Sequence, residues 1–237
     1  MSLTSIEEWK SGVGIGAFTS DATRTWTGAV LSCVLRKSFG TPTYANGVVS
    51  CPVGASMRMD TSTPLVTASG VPVMIGVRMK VTTFAQYMQL FFLGAGVVYS
   101  DTFYVGISLE STNNQTWTVV LTPVTRTASS FSTSTTLNVI TLVNGSTSRL
   151  FIGTTQQGTD YTNSNAISIG GQFELKDFGG LNCASVGAAD YECARVATVS
   201  GTPGASDTSD MDTWLTSNGV VTAQRKIFRR TNTLLRM

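Results

Sequence analysis

Apolar and polar positions alternate with a period of two through much of the chain. The pattern is cleanest at 73–81, where Val73, Ile75, Val77, Met79 and Val81 share one parity and Met74, Gly76, Arg78 and Lys80 the other. Successive side chains of a strand point to opposite faces, so a strand is predicted with the first set on the core and the second toward solvent. The strongest turn signal lies in 137–154, where two apolar, β-branched runs flank Asn144-Gly145. Both residues tolerate positive φ, and the pair predicts a tight hairpin. A lone hairpin is marginal in water, so its apolar face needs a second sheet.

Asn46-Gly47 predicts another hairpin within 43–51. Further strands are expected at 28–35, 55–59, 88–93, 103–109, 117–121, 166–169 and 192–199. Turns are expected at Asn113-Asn114 and Gly170-Gly171, and loops at 64–70 and 172–190. The Ser/Thr segment 125–136 reads as an edge strand plus a surface loop.

Helical signals are few. Residues 206–215 predict one short helix, capped by Ser206 or Ser209, with aspartates at its positive end. Met211, Trp214 and Leu215 have the spacing to pack it down. Ser5 and Glu8 have capping-box spacing, which predicts a helical turn near Ile6 and Trp9. Gly12, Gly14 and Gly16 lack the flanking strand and helix of a phosphate loop and predict a turn or arm.

About ten to twelve short strands with short connections predict an all-β, antiparallel two-sheet sandwich with one short helix and extended terminal arms; a barrel is the runner-up. The expected division is an N-terminal arm 1–26, a sandwich 27–219 and a basic C-terminal arm 220–237.

Composition sharpens this. With 237 residues and 42% apolar content, the chain is long enough for a sizeable core. Only 13% of residues are charged, about half the usual share, and Ser, Thr, Asn and Gln supply the polar surface. That suits half-exposed pleats, and it suits surfaces covered by neighbours. The net charge of +2 argues against bulk polyanion binding. No Asp or Glu follows Asp212, yet Arg225, Lys226, Arg229, Arg230 and Arg236 do, interleaved with Ile227, Phe228, Leu234 and Leu235. Cations with apolar anchors predict docking on an acidic protein surface through Arg225, Lys226, Phe228, Arg229, Arg230, Leu234, Leu235 and Arg236. No nucleic-acid module is visible, so nucleic acid is not an expected partner.

The absence of histidine removes the usual general base, the imidazole-dependent triads and most zinc sites. Cys33, Cys51, Cys183 and Cys193 lack zinc-knuckle spacing. They read as small buried thiols, with a Cys33–Cys51 or Cys183–Cys193 bridge as the alternative. Glycoside hydrolysis by two carboxylates needs a facing pair. The close pairs Glu174/Asp177 and Asp190/Glu192 sit among glycines and polar residues and read as loop charges. Asp207, Asp210 and Asp212 would suit calcium, but a helix start accounts for them. Trp26, Trp117 and Tyr161 are sugar-stacking candidates, although alternation with Val119 and Leu121 draws Trp117 into the core. No signal-peptide pattern opens the chain and no apolar run reaches about 18 residues, so no membrane contact is expected.

The order of segments adds a resemblance. PVMIGVRMKVTTF, YVGISLES, WTVVL, LNVITLVNGSTSRLFIGTTQQG, NAISIGG, Cys193-Ala-Arg-Val-Ala197 and DMDTWL follow one another over residues 45–216. This order resembles the concanavalin A-like, laminin-G-like jelly-roll family, which includes lectins, glycanases, adhesion modules and phage structural proteins. The Glu-x-Asp-x-x-Glu signature of its glycanases is missing here, and Asp101, Glu110, Asn113 and Asn114 do not form its calcium cluster. The resemblance implies a non-enzymatic tailed-phage virion protein, a head-decoration or tail component made in the host cytoplasm. Its expected partners are other virion proteins and copies of itself, with no cofactor. The alternative is a carbohydrate-binding module or tail-fibre adhesin that recognises a host-surface glycan.

Overall fold

The computed structural model describes residues 3–59, 65–66, 70–84, 88–94, 104–109, 116–121, 124–130, 135–162, 170–175 and 187–219. The strands are β1 (Leu3–Trp9), β2 (Thr25–Thr27), β3 (Val34–Phe39), β4 (Thr43–Ala45), β5 (Val48–Cys51), β6 (Ser56–Met59), β7 (Leu65–Val66) and β8 (Val73–Thr83). They continue as β9 (Met88–Gly94), β10 (Tyr104–Leu109), β11 (Thr116–Leu121), β12 (Val124–Ser130), β13 (Leu137–Asn144) and β14 (Thr147–Ile152). Last come β15 (Thr155–Thr162), β16 (Gly170–Leu175), β17 (Ala188–Val199) and the helix α1 (Ala205–Thr216).

Two antiparallel sheets face each other. The first has the order β15-β14-β13-β8-β17-β5-β4, with β1 also on β17; the second runs β12-β11-β10-β9-β16-β6-β3-β2, with β7 on β16. This is a jelly-roll-like sandwich, as the strand count and short connections predict. Between the sheets lie Trp9, Trp26, Leu35, Ile75, Val77, Phe91, Phe173 and Tyr191, all buried. Each such side chain contributes roughly 1.5–3 kcal/mol by leaving water. Trp9 stacks on Phe173 with ring centroids 5.0 Å apart. The Tyr191 hydroxyl on the first sheet donates to the Leu90 carbonyl on the second at 2.5 Å.

The inner parity of β8 lies in the core as its pattern predicts, but the other parity does not all face water. Met74 is fully buried, beneath α1. Met211, Trp214 and Leu215 of the helix pack on Met74, Ile140, Leu142, Phe151, Cys193 and Ala197. Gly76 makes this seat: a Cβ there would lie 2.7 Å from the Met211 sulfur. The helix starts earlier than either expected serine cap, its N-cap lying two residues before Ser206 and five before Ser209. Gly204 is its N-cap, and the Asp207 carboxylate accepts the Gly204 N–H at 2.8 Å.

Residues 3–26 are built into the body. β1 runs antiparallel to β17 from Leu3↔Val199 to Trp9↔Ala194, where a helical turn was expected. A register shift between Ser5 and Glu7 brings Ser5 and Glu8 to one side, and the Ser5 hydroxyl bonds the Glu8 carboxylate. The spacing that imitates a capping box is thus a bulge. The glycine run is a turn against β2, where the Thr27 N–H donates to the Gly14 carbonyl at 2.8 Å.

The strand expected at 28–35 is instead a loop, 28–33, leading into β3. Fully buried Glu7 holds that loop: its carboxylate accepts the N–H groups of Glu8 at 2.9 Å, Val30 at 2.8 Å, Leu31 at 3.1 Å and Cys33 at 2.8 Å.

Both hairpins form. Asn46 and Gly47 take φ of 52° and 83°, the pair of positive values a type I′ turn requires. In the other, Asn144 pairs with Thr147, so the two-residue loop is Gly145-Ser146, one position later than expected. β15 follows on the sheet edge, and Gly170-Gly171 belongs to β16 opposite Val66 and Leu65 rather than to a turn. The expected strand at 166–169 and the Asn113-Asn114 turn lie outside the described residues. Among the described residues no helix is long and apolar enough to cross a membrane.

Candidate functional site

Beyond the end of α1, the outer face of the first sheet continues onto the β13–β14 hairpin. Backbone register places Leu142 opposite Arg149 and Asn144 opposite Thr147. A register shift between Ser148 and Leu150 puts Arg149 in a bulge against β15, and bulges re-aim side chains. The guanidinium donates from Nε and Nη2 to one oxygen of Asp160, at 2.9 and 2.7 Å. The other Asp160 oxygen accepts the Gln156 amide at 2.9 Å. Bonded to Asp160, the Arg149 guanidinium holds its proton more firmly than usual.

Leu142, Asn144, Thr147, Arg149 and Asp160 line an open cavity of about 110 Å³. A guanidinium and an amide donate there, and a carboxylate, an amide oxygen and a hydroxyl accept, over an almost wholly buried Leu142. The lining is mainly polar and the cavity small, suited to hydrogen-bonding a polar group rather than to burying an apolar ligand. The set can bind neighbouring hydroxyls through paired donors and acceptors.

Two other polar clusters flank α1 and fasten it. On one side Arg78 donates to Glu192 at 2.6 Å and to Asn138 at 3.0 Å, and Asn138 donates to Asp212 at 2.7 Å and Thr216 at 2.8 Å. On the other, Arg195 donates to Ser5 at 2.8 Å, pairs with Glu8 at 3.3 Å and lies 5.4 Å over the Trp214 ring. Burial pulls the Arg195 pKa down, opposed by Glu8 and Asp210.

Of the residues expected to act, Arg225, Lys226, Phe228, Arg229, Arg230, Leu234, Leu235 and Arg236 lie outside the described residues. So do Asp101, Glu110, Asp177, Cys183 and the side chains of Trp117, Tyr161 and Glu174. Trp26 is no rim aromatic: it is fully buried and its indole donates to the Lys10 carbonyl at 3.1 Å. The helix aspartates diverge, Asp207 capping the N-terminus and Asp212 holding Asn138. Among the described residues no group of three or more His, Cys, Asp or Glu could hold a metal. Glu192 is committed to Arg78. Cys33, Cys51 and Cys193 are buried thiols. Burial pushes Cys33 up to about 12, with the Glu7 carboxylate adding to it, and burial pushes Cys193 up to about 12.

Sequence reasoning found the hairpin but missed Arg149 and Asp160. Their signal was rarity, two opposite charges eleven residues apart in a charge-poor chain. It was lost because β15 was not expected.

No family model matches the chain, and no curated protein sequence matches it. Solved structures do share the fold. Trypanosoma rangeli sialidase in complex with 2,3-difluoro-KDN matches with a TM-score of 0.63 at 9% identity, over 90% of this chain and 33% of the sialidase. A botulinum neurotoxin type C structure, from work on its interaction with two ganglioside molecules, matches with a TM-score of 0.60 at 7% identity, over 90% of this chain and 51% of that one. The botulinum neurotoxin serotype G binding domain matches with a TM-score of 0.57 at 11% identity, with the same two coverages of 90% and 51%. This chain therefore spans about a third of the sialidase and half of the toxin structures. At such identities the likeness establishes the fold, a jelly-roll-like β-sandwich.

It also corrects one expectation. The chain was expected not to be an enzyme, and the solved structures that share its fold include sialidases, which are enzymes. That expectation leaned on missing histidine and on missing facing carboxylates. Glycoside hydrolysis also proceeds through a tyrosine nucleophile, so neither absence excludes it.

Proposed function

We propose that this protein is a carbohydrate-binding β-sandwich module and that its site is the Arg149–Asp160 cavity. The observation that carries the reading is the cavity itself, where the β13–β14 hairpin brings Asn144, Thr147 and Arg149 together beside Leu142 and β15 adds Asp160. A toxin of the same fold that interacts with gangliosides supports it, as does a sialidase. Each sugar hydroxyl bonded there contributes about 0.5–1.5 kcal/mol net. One shallow site then gives an affinity of roughly 1 mM, near 4 kcal/mol. Display of several copies would strengthen this by about 10²–10⁴. The test is a glycan array probed with multivalent protein, alongside Asn144→Ala and Arg149→Ala. Binding to a defined glycan set, lost in both variants, supports the reading. Folded protein that binds no glycan overturns it.

A second reading places the module on a tailed-phage particle as an adhesin, within the concanavalin A-like family its segment order resembles. The charge-poor composition, 13% charged residues over the whole chain, supports burial against copies of itself and other virion proteins. Mass spectrometry of purified particles tests it, and absence of the chain from every particle refutes it.

A further inference from the structure

We infer that the cavity takes neutral glycans and that Asp160 is the residue that turns acidic sugars away. This rests on the glycan-binding reading above. Arg149 is the cation lining the cavity, and an acidic sugar would seek it. The guanidinium is a planar fork of five donors built to grip a carboxylate. Here Asp160 already occupies that fork, taking Nε and Nη2 on a single oxygen. Gln156 steadies the same carboxylate from its other oxygen, so Asp160 does not depend on Arg149 alone for its position. An incoming sugar carboxylate would have to displace Asp160 or settle beside it as a like charge, and like-charge juxtaposition is strongly unfavourable.

Neutral hydroxyls meet no such conflict. A hydroxyl both donates and accepts, so it can take remaining guanidinium N–H groups and give its own proton to a carboxylate, an amide oxygen or the Thr147 hydroxyl. The paired ion thus acts as a neutral hydrogen-bonding plate, selective for polyol faces.

The experiment compares matched neutral and sialylated glycans on wild type, Asp160→Asn and Arg149→Gln, by array and by titration calorimetry. Wild type is expected to favour neutral glycans by about tenfold or more. Asp160→Asn, at an exposed edge position, removes the charge and keeps the shape. It is expected to gain sialylated binding about tenfold and to lose the neutral preference. Arg149→Gln is expected to lose both. Wild type favouring sialylated glycans would overturn the inference and leave the glycan-binding reading standing. An unchanged ratio in a folded Asp160→Asn would do the same. Should Asp160→Asn not fold, the wild-type ratio alone decides. No glycan bound by folded wild type would sink both together.

Discussion

Glu7→Gln tests how the 28–33 loop is held. The native carboxylate is fully buried and receives four backbone N–H groups. Oε1 serves Glu8 and Val30, while Oε2 serves Leu31 and Cys33. Glutamine keeps one carbonyl oxygen, enough for the first pair. Its NH₂ then faces the second pair, donor against donor. Two hydrogen bonds to a charged acceptor are lost, each worth about 1.5–3 kcal/mol, for a total of roughly 3–6 kcal/mol. Domains are stable by only about 5–15 kcal/mol, so this is a large fraction. In urea, the midpoint should fall with the slope unchanged. On heating, the midpoint should drop by roughly 6–24 °C, at about 2–4 °C per kcal/mol for a chain of this size. A Glu7→Gln protein within about 0.5 kcal/mol of wild type would refute the reasoning, because the loop would then be held by something else.

Three further outcomes are expected. Gly76→Val should cost about 1–3 kcal/mol by driving a side chain into Met211, and Met211→Ala in the same chain should recover part of it; urea midpoints of the single and double variants check this. Tyr191→Phe should cost about 1–3 kcal/mol, because the Leu90 carbonyl loses its donor from the opposite sheet, measured the same way. The thiols of Cys33 and Cys193, both pushed up to about 12, should resist a disulfide reagent at pH 8 until urea unfolds the chain. Their raised values favour the protonated fold. That contribution is fully present below about pH 9, the ordinary thiol value, and is lost as pH rises toward about 12, so thermal midpoints should decline across that window.

The inner face of the sandwich was legible because alternation records one-sided burial. Val73, Ile75, Val77, Met79 and Val81 lie in the core, where their parity put them. What parity could not record is a second cover. Met74, Ile140 and Phe151 look like stray apolar residues until α1 is seated on them. β15 left no apolar trace because an edge strand with an exposed side needs none. β1 was misread because Ser5 and Glu8 meet through a bulge rather than a turn of helix. The candidate site was half visible: the hairpin announced itself through its turn residues. The Arg149–Asp160 pair depends on β14 lying beside β15, a fact of register that composition does not carry.

The position of β17 has a consequence for biosynthesis. It lies between β8 on one side and β5 with β1 on the other, and it begins only at Ala188. While a ribosome is still translating the middle of the message, β8 keeps an unfilled edge and β1 waits without its neighbour. Open edges of this kind invite pairing with other nascent chains. Contacts that span most of the polypeptide also form slowly. The helix cannot dock early either, since Cys193 and Ala197 form part of its floor. Recovery of native protein from a cell is therefore governed by how promptly the final quarter of the chain follows the rest, and by what shields the waiting strands meanwhile.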